Sequence, residues 1–364
     1  MNKPNPIYFI SGKAFSKESL VQFCYEKLSV KNKSAFEEEL FTFILDWFSP
    51  SETIKANTSG STGKPKEIQL LKKHMMASAE TTISFFNLKK KDKILLCLPM
   101  SFIAGKMMVV RALVGSLDLY FTEPSSKPEI AEPKIAFSAM VPLQVSQLIK
   151  EKNNPLSNVE KLIIGGSFLP DPLLVKLQHM NTKVWQTYGM TETLTHIAVR
   201  KINGSDRSDK YSLLPGVSLS LNEGRIVVSA PHLGVRGLIT NDLAEIDETG
   251  KFRITGRADN VIISGGLKFI PEKIEHKISG IFSMDYFIGG LNDPKLGQKL
   301  VLFIEKGEHI EQQIFKLWLE LEEKLEKHEV PKEIVFLQVF IKTPTGKTNR
   351  IATIRQYKMR SSSQ

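Results

Sequence analysis

The sequence predicts an α/β fold with a large N-terminal domain of parallel α/β layers, a small β subdomain and a small α+β C-terminal domain. Three observations lead to this prediction. Short apolar runs alternate with helix-length segments between residues 93 and 188, as expected for parallel strands covered by helices. Short strands separated by hairpin turn signals follow between residues 213 and 254. Beyond residue 256 the pattern changes to helix, two strands, helix and strand.

The elements of the parallel layer follow from their composition and spacing. Strands are expected where short runs are rich in apolar and β-branched residues, at residues 94–98, 117–121, 135–140, 162–164 and 184–187. Helices are expected between them from length and apolar spacing, at residues 105–114, 142–150 and 172–180. This alternation indicates a parallel sheet.

The later elements are marked by turns and by one amphipathic helix. Turn signals at residues 222–224 and 247–250 predict a small antiparallel subdomain, and glycines bracket residues 256–266. An amphipathic helix is expected from apolar residues that recur at helical spacing, Ile310, Ile314, Leu317, Leu321 and Leu325. Pro331 follows it, then a strand at residues 334–341, a loop at 342–347 and a tail at 361–364 that is expected to fray.

Composition limits the class of protein. A chain of 364 residues with 41% hydrophobic and 24% charged residues is typical of a folded protein of two or three domains. Its apolar runs are much shorter than the roughly 20 residues of a membrane span, and the N-terminus lacks the pattern of a secretory signal, so we expect a cytoplasmic protein. Cys24 and Cys97 are far apart in sequence, so neither a disulfide framework nor a zinc site is expected, and both are predicted to be buried thiols.

The net charge of +10 comes from 49 basic and 39 acidic residues. The excess is spread along the chain, and its densest cluster, residues 89–93, is interrupted by Asp92. We interpret this cluster as a solvated turn. No helix-turn-helix, zinc or aromatic stacking motif accompanies the charge, so a nucleic-acid partner is not expected. A basic surface also attracts small polyanions.

The most informative segment combines hydroxyl side chains, glycines and lysines. It consists of Thr58, Ser59, Gly60, Ser61, Thr62, Gly63, Lys64, Pro65 and Lys66. The glycines allow backbone N–H groups to surround a cluster of anionic oxygens, which predicts a phosphate-binding loop. A flexible Ser/Gly linker would not need paired lysines around a proline. A Walker A loop is excluded because Thr58 stands where its first glycine is required and Pro65 follows Lys64.

A second segment, residues 186–193, follows a predicted strand. It places the ring of Tyr188, the small residue Gly189 and the carboxylate of Glu192 close together in sequence. A purine could stack on the tyrosine while the glutamate holds a magnesium ion that bridges phosphate oxygens. A strand-to-loop corner with a core tyrosine is the alternative.

These two segments and five others occur in the order found in the adenylate-forming superfamily, which the chain resembles over residues 56–355. This superfamily includes acyl-CoA synthetases, nonribosomal-peptide adenylation domains and luciferases. The further matching segments are LPMSFIAG at residues 98–105, GGSFLP at 165–170, TNDL at 240–243, GRAD at 256–259 and PTGKTNR at 344–350. Seven motifs in the same order make the resemblance specific.

The resemblance implies roles for individual residues in binding ATP. The implied ATP-binding residues are Thr58, Ser59, Gly60, Ser61, Thr62, Gly63, Lys66, Gly165, Gly166, Tyr188, Gly189, Thr191, Asp242 and Arg257. Asp242 would accept the ribose hydroxyls, with Arg257 near the ribose. Glu192 would hold Mg²⁺, and Lys347 would catalyse adenylation.

The resemblance also implies a mobile C-terminal domain and an acyl pocket. Residues 1–258 would form the AMP-binding domain and residues 259–364 a lid that rotates about Asp259. The rotation would withdraw Lys347 and bring Ser264, Gly265 and Gly266 to a tunnel for the pantetheine arm of CoA. The residues implied to line the acyl pocket are Phe102, Gly105, Ser167 and His196. A surface lysine, a turn carboxylate and a structural histidine remain the alternatives for Lys347, Asp259 and His196.

Three features depart from the common pattern of the superfamily. Only 57 residues precede Thr58, so a reduced first subdomain is expected, and a homodimer could complete its core. Asn241 replaces a glycine, and Phe102 stands where many acyl-CoA ligases carry histidine, which puts the gating role of that histidine in doubt.

The compact chain and residues 191–198 look most like the o-succinylbenzoate-CoA ligases of menaquinone synthesis. The resemblance therefore implies an enzyme that converts a small carboxylic acid, with ATP, Mg²⁺ and CoA, to an acyl-adenylate and then an acyl-CoA. Another aryl or acyl carboxylate, transfer to a carrier protein, and a non-catalytic nucleotide-binding protein remain open as alternatives.

Overall fold

The computed structural model describes residues 6–57, 67–167, 169–282, 284–305, 314–343 and 348–361. The chain divides into two compact units, of which the first comprises Met1–Ser218 and Val228–Leu238 and the second Leu219–Val227 and Ile239–Gln364. No helix of the described segments is both long and apolar enough to cross a membrane. The division into functional domains at residues 258 and 259 stays a prediction.

The helices and strands alternate along the first part of the chain. In order they are β1 (Tyr8–Ile10), β2 (Lys13–Phe15), α1 (Lys17–Ser29), α2 (Ala35–Phe48), β3 (Thr53–Asn57), β4 (Glu67–Leu71), α3 (Lys72–Phe85), β5 (Lys93–Leu96), α4 (Ile103–Gly115), β6 (Asp118–Phe121), β7 (Ile135–Met140), α5 (Pro142–Leu148), β8 (Val159–Ile164), α6 (Asp171–Gln178), β9 (Lys183–Gly189), β10 (His196–Lys201) and β11 (Ser212–Leu213).

The remaining elements are mostly strands. In order they are β12 (Ser218–Asn222), β13 (Arg225–Ala230), β14 (Val235–Ile246), β15 (Phe252–Arg257), β16 (Ile262–Ser264), β17 (Leu267–Phe269), α7 (Pro271–Lys277), β18 (Tyr286–Asp293), β19 (Gly297–Glu305), α8 (Ile314–Lys324), β20 (Glu333–Leu337) and α9 (Arg350–Ser361).

A nine-stranded sheet organises the first unit, with strand order β11-β10-β9-β8-β7-β5-β6-β1-β2. The pairs from β9 across to β1 are parallel, and the pairs at both ends are antiparallel. Each strand and helix predicted for the parallel layer overlaps an observed element, so the α/β prediction is confirmed. The strands β7, β8 and β9 are neighbours that run in the same direction, and the chain therefore leaves them at one edge of the sheet.

Apolar residues from the strands and the covering helices form the core beside these strands. Helices α5 and α6 contribute Val145, Leu148, Leu173 and Leu177, which are all buried against strand residues such as Leu162. Burial of this kind contributes about 1.5–3 kcal/mol for each large side chain. The core holds the loops at the carboxyl edge of the sheet in a fixed frame.

Both cysteines are buried, as predicted. Cys97 lies in the core beside the sheet, and Cys24 is fully buried on α1. Loss of hydration raises the pKa of each thiol to about 12. Because the thiolate is the reactive form, neither group is poised for chemistry.

The predicted antiparallel subdomain is present as β12 to β15, which pair in chain order. Glu223 and Gly224 adopt φ angles of 52° and 79° between β12 and β13, the left-handed turn that the sequence signal at residues 222–224 predicts. Strands β14 and β15 are antiparallel, with Asp242 opposite Arg257. This register places the side chains of Asp242 and Arg257, two predicted site residues, within hydrogen-bond distance of each other.

The second unit contains a five-stranded sheet in which β16 to β19 are joined by β20. Helix α8 confirms the predicted amphipathic helix, because Leu317, Leu321 and the following Leu325 are buried against the sheet; Ile310 lies outside the described residues. Strand β20 is shorter than predicted and ends at Leu337. The β16–β17 hairpin and helix α9 were not predicted.

Candidate functional site

The turn after β8 lies against the end of β9. Gln186 donates a hydrogen bond from Nε2 to the backbone oxygen of Ser167 at 3.3 Å, and the hydroxyl of Thr187 donates to the backbone oxygen of Ile164 at 3.3 Å. Two segments that the sequence marks as ATP-binding, residues 165–170 and 186–193, are therefore adjacent. Their adjacency follows from the parallel pairing of β8 and β9.

Glycines 165 and 166 are required by the shape of this turn. A Cβ atom on Gly165 would lie 2.6 Å from the Thr187 hydroxyl oxygen, and Gly166 has a φ of 87°, a conformation that side chains disfavour. Both glycines therefore allow the turn to pack closely on neighbouring residues of the sheet edge. Their contact with ATP stays a prediction.

Tyr188 is 7% exposed and lies on β9. Its ring contacts that of Tyr211 edge to face, with centroids 6.2 Å apart. The guanidinium of Arg200 lies 5.5 Å from the centre of the Tyr211 ring and donates from Nε to Gln186 at 2.7 Å. The tyrosine is thus held by a packed polar and aromatic group, and stacking of a purine on its ring stays a prediction.

A short 3₁₀ turn, Thr191–Thr193, follows β9 and presents Glu192 to solvent. The buried hydroxyl of Thr193 accepts from the backbone N–H of Met190 at 3.0 Å and donates to the backbone oxygen of Thr195 at 2.8 Å. The turn therefore holds the glutamate at the edge of the sheet with its carboxylate exposed. An exposed carboxylate that shares coordination with phosphate oxygens is a usual way to hold Mg²⁺, so Glu192 fits its predicted role.

Gly189 permits the close approach of β9 and β10. A Cβ atom there would lie 2.2 Å from the backbone oxygen of Thr195 and 2.5 Å from the Cα atom of His196. We expect Gly189→Ala to lower the free energy of unfolding by about 3 kcal/mol or more, since two backbones would have to separate. Gly280→Ala is the control, because the nearest heavy atom to its Cβ would lie 3.7 Å away. Denaturant melts would measure both, and equal stability of the two variants would contradict the prediction.

Phe102 and Gly105 lie where helix α4 begins. A Cβ atom on Gly105 would lie 2.3 Å from the backbone oxygen of Pro99, so the glycine lets the helix pack against the preceding loop. Arg111 lies on the same helix, roughly 9 Å further along its axis than Gly105. The sequence-based prediction of the acyl pocket did not include this arginine.

Arg111 is the largest fully buried side chain of the described residues. Its NH2 group donates to the hydroxyl of Thr195 at 2.9 Å, and this hydroxyl lies 3.2 Å from Nδ1 of His196. Arg111 Nε and His196 Nε2 are both buried without a hydrogen-bond partner in the described part of the chain. Helix α4 and strand β10 therefore meet at a buried polar network, which we call the Arg111 network and define as Arg111, Thr195 and His196.

The network is electrostatically unusual. Burial lowers the pKa of the Arg111 guanidinium to about 9, which still leaves it charged at neutral pH. Burial, and then the nearby positive charge of Arg111, holds the pKa of His196 well below its usual value, so the imidazole is neutral. No carboxylate pairs with Arg111 among the residues that the structure describes. An arginine within the apolar stretch Met107–Leu113 was the sequence signal that could have identified it.

In the second unit the structure brings three predicted residues together. Arg257 donates from NH1 to Asp242 at 3.1 Å and from Nε and NH2 to both oxygens of Asp259, at 2.9 and 2.7 Å. Hydrogen bonding to Asp259 is the largest cause of the raised pKa of Arg257. Asn241, which replaces a glycine of the superfamily pattern, accepts from Arg225 at 2.6 Å.

Ser264, Gly265 and Gly266 form the tip of the β16–β17 hairpin. The two glycines have φ angles of 58° and 81°, and the N–H of Gly265 donates to the backbone oxygen of Leu296 at 2.9 Å. The hairpin tip is thus anchored to the turn before β19. Its role at a CoA tunnel stays a prediction.

Two groups of predicted residues lie outside the described residues. They are the phosphate-loop residues Thr58, Ser59, Gly60, Ser61, Thr62, Gly63 and Lys66, and the predicted catalyst Lys347. On either side of residues 344–347, Asn349 donates its N–H to the backbone oxygen of Ile341 at 2.7 Å, and Lys342 donates to the hydroxyl of Thr348 at 3.1 Å. The chain therefore enters and leaves this segment at neighbouring points.

Comparison with known proteins agrees with this architecture. The sequence profile of the family described as AMP-binding enzyme matches residues 57–234. A 2-succinylbenzoate–CoA ligase of Lactococcus lactis is 28% identical over 331 residues, which are 83% of this chain and 71% of that protein.

Two solved structures have the same fold. An acyl-CoA synthetase (AMP-forming)/AMP-acid ligase II-like protein from Dyadobacter fermentans is 32% identical, with a TM-score of 0.62 over 92% of this chain and 97% of that one. The o-succinylbenzoate CoA synthetase of Bacillus subtilis, in complex with its acyl-adenylate intermediate, has a TM-score of 0.70 at 20% identity, over 82% of this chain and 68% of that one. The family profile and the identity to the Dyadobacter protein, together with the shared fold, show that this chain belongs to the AMP-binding enzyme family and is an AMP-forming acyl-CoA ligase.

Proposed function

We propose that this protein is an ATP-dependent ligase that converts o-succinylbenzoate to o-succinylbenzoyl-CoA through an acyl-adenylate, as a step of menaquinone synthesis. The names of the Lactococcus and Bacillus relatives support the substrate. The observation that carries the proposal is the buried guanidinium of Arg111, for which the described residues supply no carboxylate. Taking a cation out of water costs several kcal/mol unless an anion pairs with it.

The chemistry of o-succinylbenzoate fits this observation. The acid carries two carboxylates, and activation by ATP uses only one of them. The second would remain an anion in the acyl pocket, where the Arg111 guanidinium could bind it with two parallel hydrogen bonds. A fatty acid or simple aryl acid would leave the arginine without an anion.

Several residues of the site would have separate roles in adenylation. A substrate carboxylate attacks the α-phosphate of ATP, and pyrophosphate leaves. Both reacting groups are anionic, so Lys347 and the N–H groups of residues 58–66 would supply positive charge to the transition state. Glu192 would hold Mg²⁺, which neutralises phosphate charge when bound. Arg111 would orient the acid by binding its second carboxylate, the one that ATP does not activate, which we call the distal carboxylate.

A panel of acids tests the substrate. With ATP and Mg²⁺ present, the enzyme should release pyrophosphate in response to o-succinylbenzoate with a kcat/KM about 100-fold higher than in response to 4-oxo-4-phenylbutanoate. The second acid differs from the first only in lacking the ring carboxylate. Benzoate and a medium-chain fatty acid complete the panel. Equal turnover of the first two acids would show that the second carboxylate is not recognised, and turnover of the fatty acid alone would replace the proposed substrate.

The acceptor is tested in the second half-reaction. Free CoA should discharge the acyl-adenylate, and a carrier protein bearing a phosphopantetheine arm should give no advantage at equal concentration. Faster transfer to the carrier protein would favour a carrier-acylating enzyme. Binding of ATP without pyrophosphate release for every acid would favour a non-catalytic nucleotide-binding protein.

Location and assembly belong to the same proposal. We place the enzyme in the cytoplasm, where its proposed substrates ATP and CoA are available, and we propose a homodimer. Light scattering of the purified protein measures the assembly directly: a mass of twice 41.0 kDa supports the dimer, and a monomer at all concentrations contradicts it.

A further inference from the structure

Several buried polar atoms in the described part of the chain lack a hydrogen-bond partner, and two of them belong to the Arg111 network. They are Nε of Arg111 and Nε2 of His196. Each unsatisfied buried polar group costs about 1–3 kcal/mol. Two such costs in one network, on side chains that touch the same hydroxyl, indicate a site that a polar ligand completes.

One hydrogen-bond direction in this network is fixed by chemistry, and the other follows from the tautomer that we propose for His196. A guanidinium only donates, so the Thr195 oxygen accepts from Arg111. The hydrogen of the same hydroxyl can then point to Nδ1 of His196, 3.2 Å away. Since the imidazole is neutral beside the buried arginine, an acceptor at Nδ1 leaves the single ring hydrogen on Nε2.

His196 is shielded from water and has an aromatic neighbour. The side chain is 5% exposed, and the ring of Phe86 has its centroid 6.4 Å from that of the imidazole. The positive charge of Arg111 acts on the histidine as well and disfavours its protonation. A donor in such a place distinguishes an oxygen acceptor from an apolar group strongly, because water cannot compete.

We propose that His196 is a specificity residue whose Nε2–H donates a hydrogen bond to the distal carboxylate of the acid, beside the guanidinium of Arg111. The proposal rests on the proposed function and adds to it a second donor and a defined tautomer. Arg111 contributes charge, whereas His196 contributes a neutral donor at one position. Thr195 links the two side chains and sets the orientation of the imidazole.

Two substitutions distinguish a role of Nε2 in binding the acid from a role of Nδ1. A glutamine amide can place its NH₂ group near the position of Nε2, and an asparagine amide near that of Nδ1. His196→Gln should therefore stay within about 3-fold of the wild-type KM for o-succinylbenzoate, while His196→Asn and His196→Leu should raise this KM about 10-fold or more. The KM for ATP should not change. His74→Gln is the control, since His74 lies on α3 outside the network.

Turnover of 4-oxo-4-phenylbutanoate separates recognition from structure. This acid lacks the acceptor, so its KM should be the same in all four variants and in the wild type. If His196→Leu impairs both acids equally, or if His196→Gln is as poor as His196→Leu, the histidine is structural and the proposal is wrong.

The tautomer can be measured without turnover. Nitrogen NMR of the protein labelled at histidine should show the His196 hydrogen on Nε2 in the free protein, with a shift of that nitrogen when o-succinylbenzoate is added. A hydrogen on Nδ1 would overturn the proposal whatever the enzyme activates. Failure of the wild type to activate any acid, with the hydrogen still on Nε2, would instead contradict the proposed function.

Discussion

Lys347→Ala is expected to lose acid-dependent pyrophosphate release by a factor of about 10²–10³, which is typical for removal of one group that stabilises a developing oxyanion. ATP should still bind, because the donors predicted to hold it, the hydroxyl and N–H groups of residues 58–66, do not include this lysine. The measurement combines a pyrophosphate assay with calorimetric titration of ATP. The segment PTGKTNR, in which the lysine stands, carries this prediction.

The matched control is Lys273→Ala. Lys273 pairs with Glu245 at 2.7 Å on the surface of the same unit, and such exposed pairs contribute about 0–1 kcal/mol. Its removal should leave pyrophosphate release unchanged. A second readout supplies the acyl-adenylate ready-made: Lys347→Ala should then form the CoA thioester at nearly the wild-type rate. Full adenylation by Lys347→Ala would contradict its assignment as the catalyst.

Arg111→Met is expected to lower kcat/KM for o-succinylbenzoate about 100-fold or more without destabilising the protein. Methionine has a similar length and no charge, and it removes a buried cation that has no carboxylate partner among the described residues. The free energy of unfolding should therefore stay equal or rise. Denaturant melts would measure the free energy of unfolding of the variant, and pyrophosphate assays would measure its loss of activity.

Turnover of 4-oxo-4-phenylbutanoate, which lacks the second carboxylate, shows why Arg111→Met loses activity. Arg111→Met should turn over 4-oxo-4-phenylbutanoate at the wild-type rate, since this acid has no second carboxylate for the arginine to bind. A fall in melting temperature together with equal losses for both acids would show that Arg111 supports the fold instead. Arg111→Lys should recover part of the loss, because a lysine keeps the charge but not the paired donors.

The parallel layer was predictable because its signals are local. Apolar runs of strand length marked β7 and β9 closely, and the strand-end glycine Gly189 stood within a recognisable motif. Helix α2 also has a local signal that sequence analysis did not use, since Ser34 and Glu37 form a capping box. The pairing of β1 with β6 was not predictable, because the register that joins Phe9 to Asp118 depends on the tertiary fold.

Helix α9 is a second element that the sequence pattern does not predict. Its mean hydropathy is low, its last turn is basic, and Ile351 and Met359 are exposed. It is fixed instead by Arg350, which donates from both terminal nitrogens to Glu275 at 2.8 Å, and by the buried Thr353. Ile354 and Tyr357 pack against the apolar core of the second unit. A helix that depends on a partly buried ion pair as well as on a narrow apolar face leaves little pattern in the sequence.

The sequence by itself determined the family and the reaction class and predicts the groups that bind phosphate, because hydroxyl, glycine and lysine residues suited to phosphate lie within short contiguous motifs. Only the tertiary structure reveals the Arg111 network, on which the proposed recognition of the acid rests. Arg111 and Thr195 are separated by 84 residues, and they meet because helix α4 packs where strand β10 begins. The specificity of an acyl pocket arises from side chains brought together by packing, so it becomes visible only when the distances, the burial and the missing partners are known.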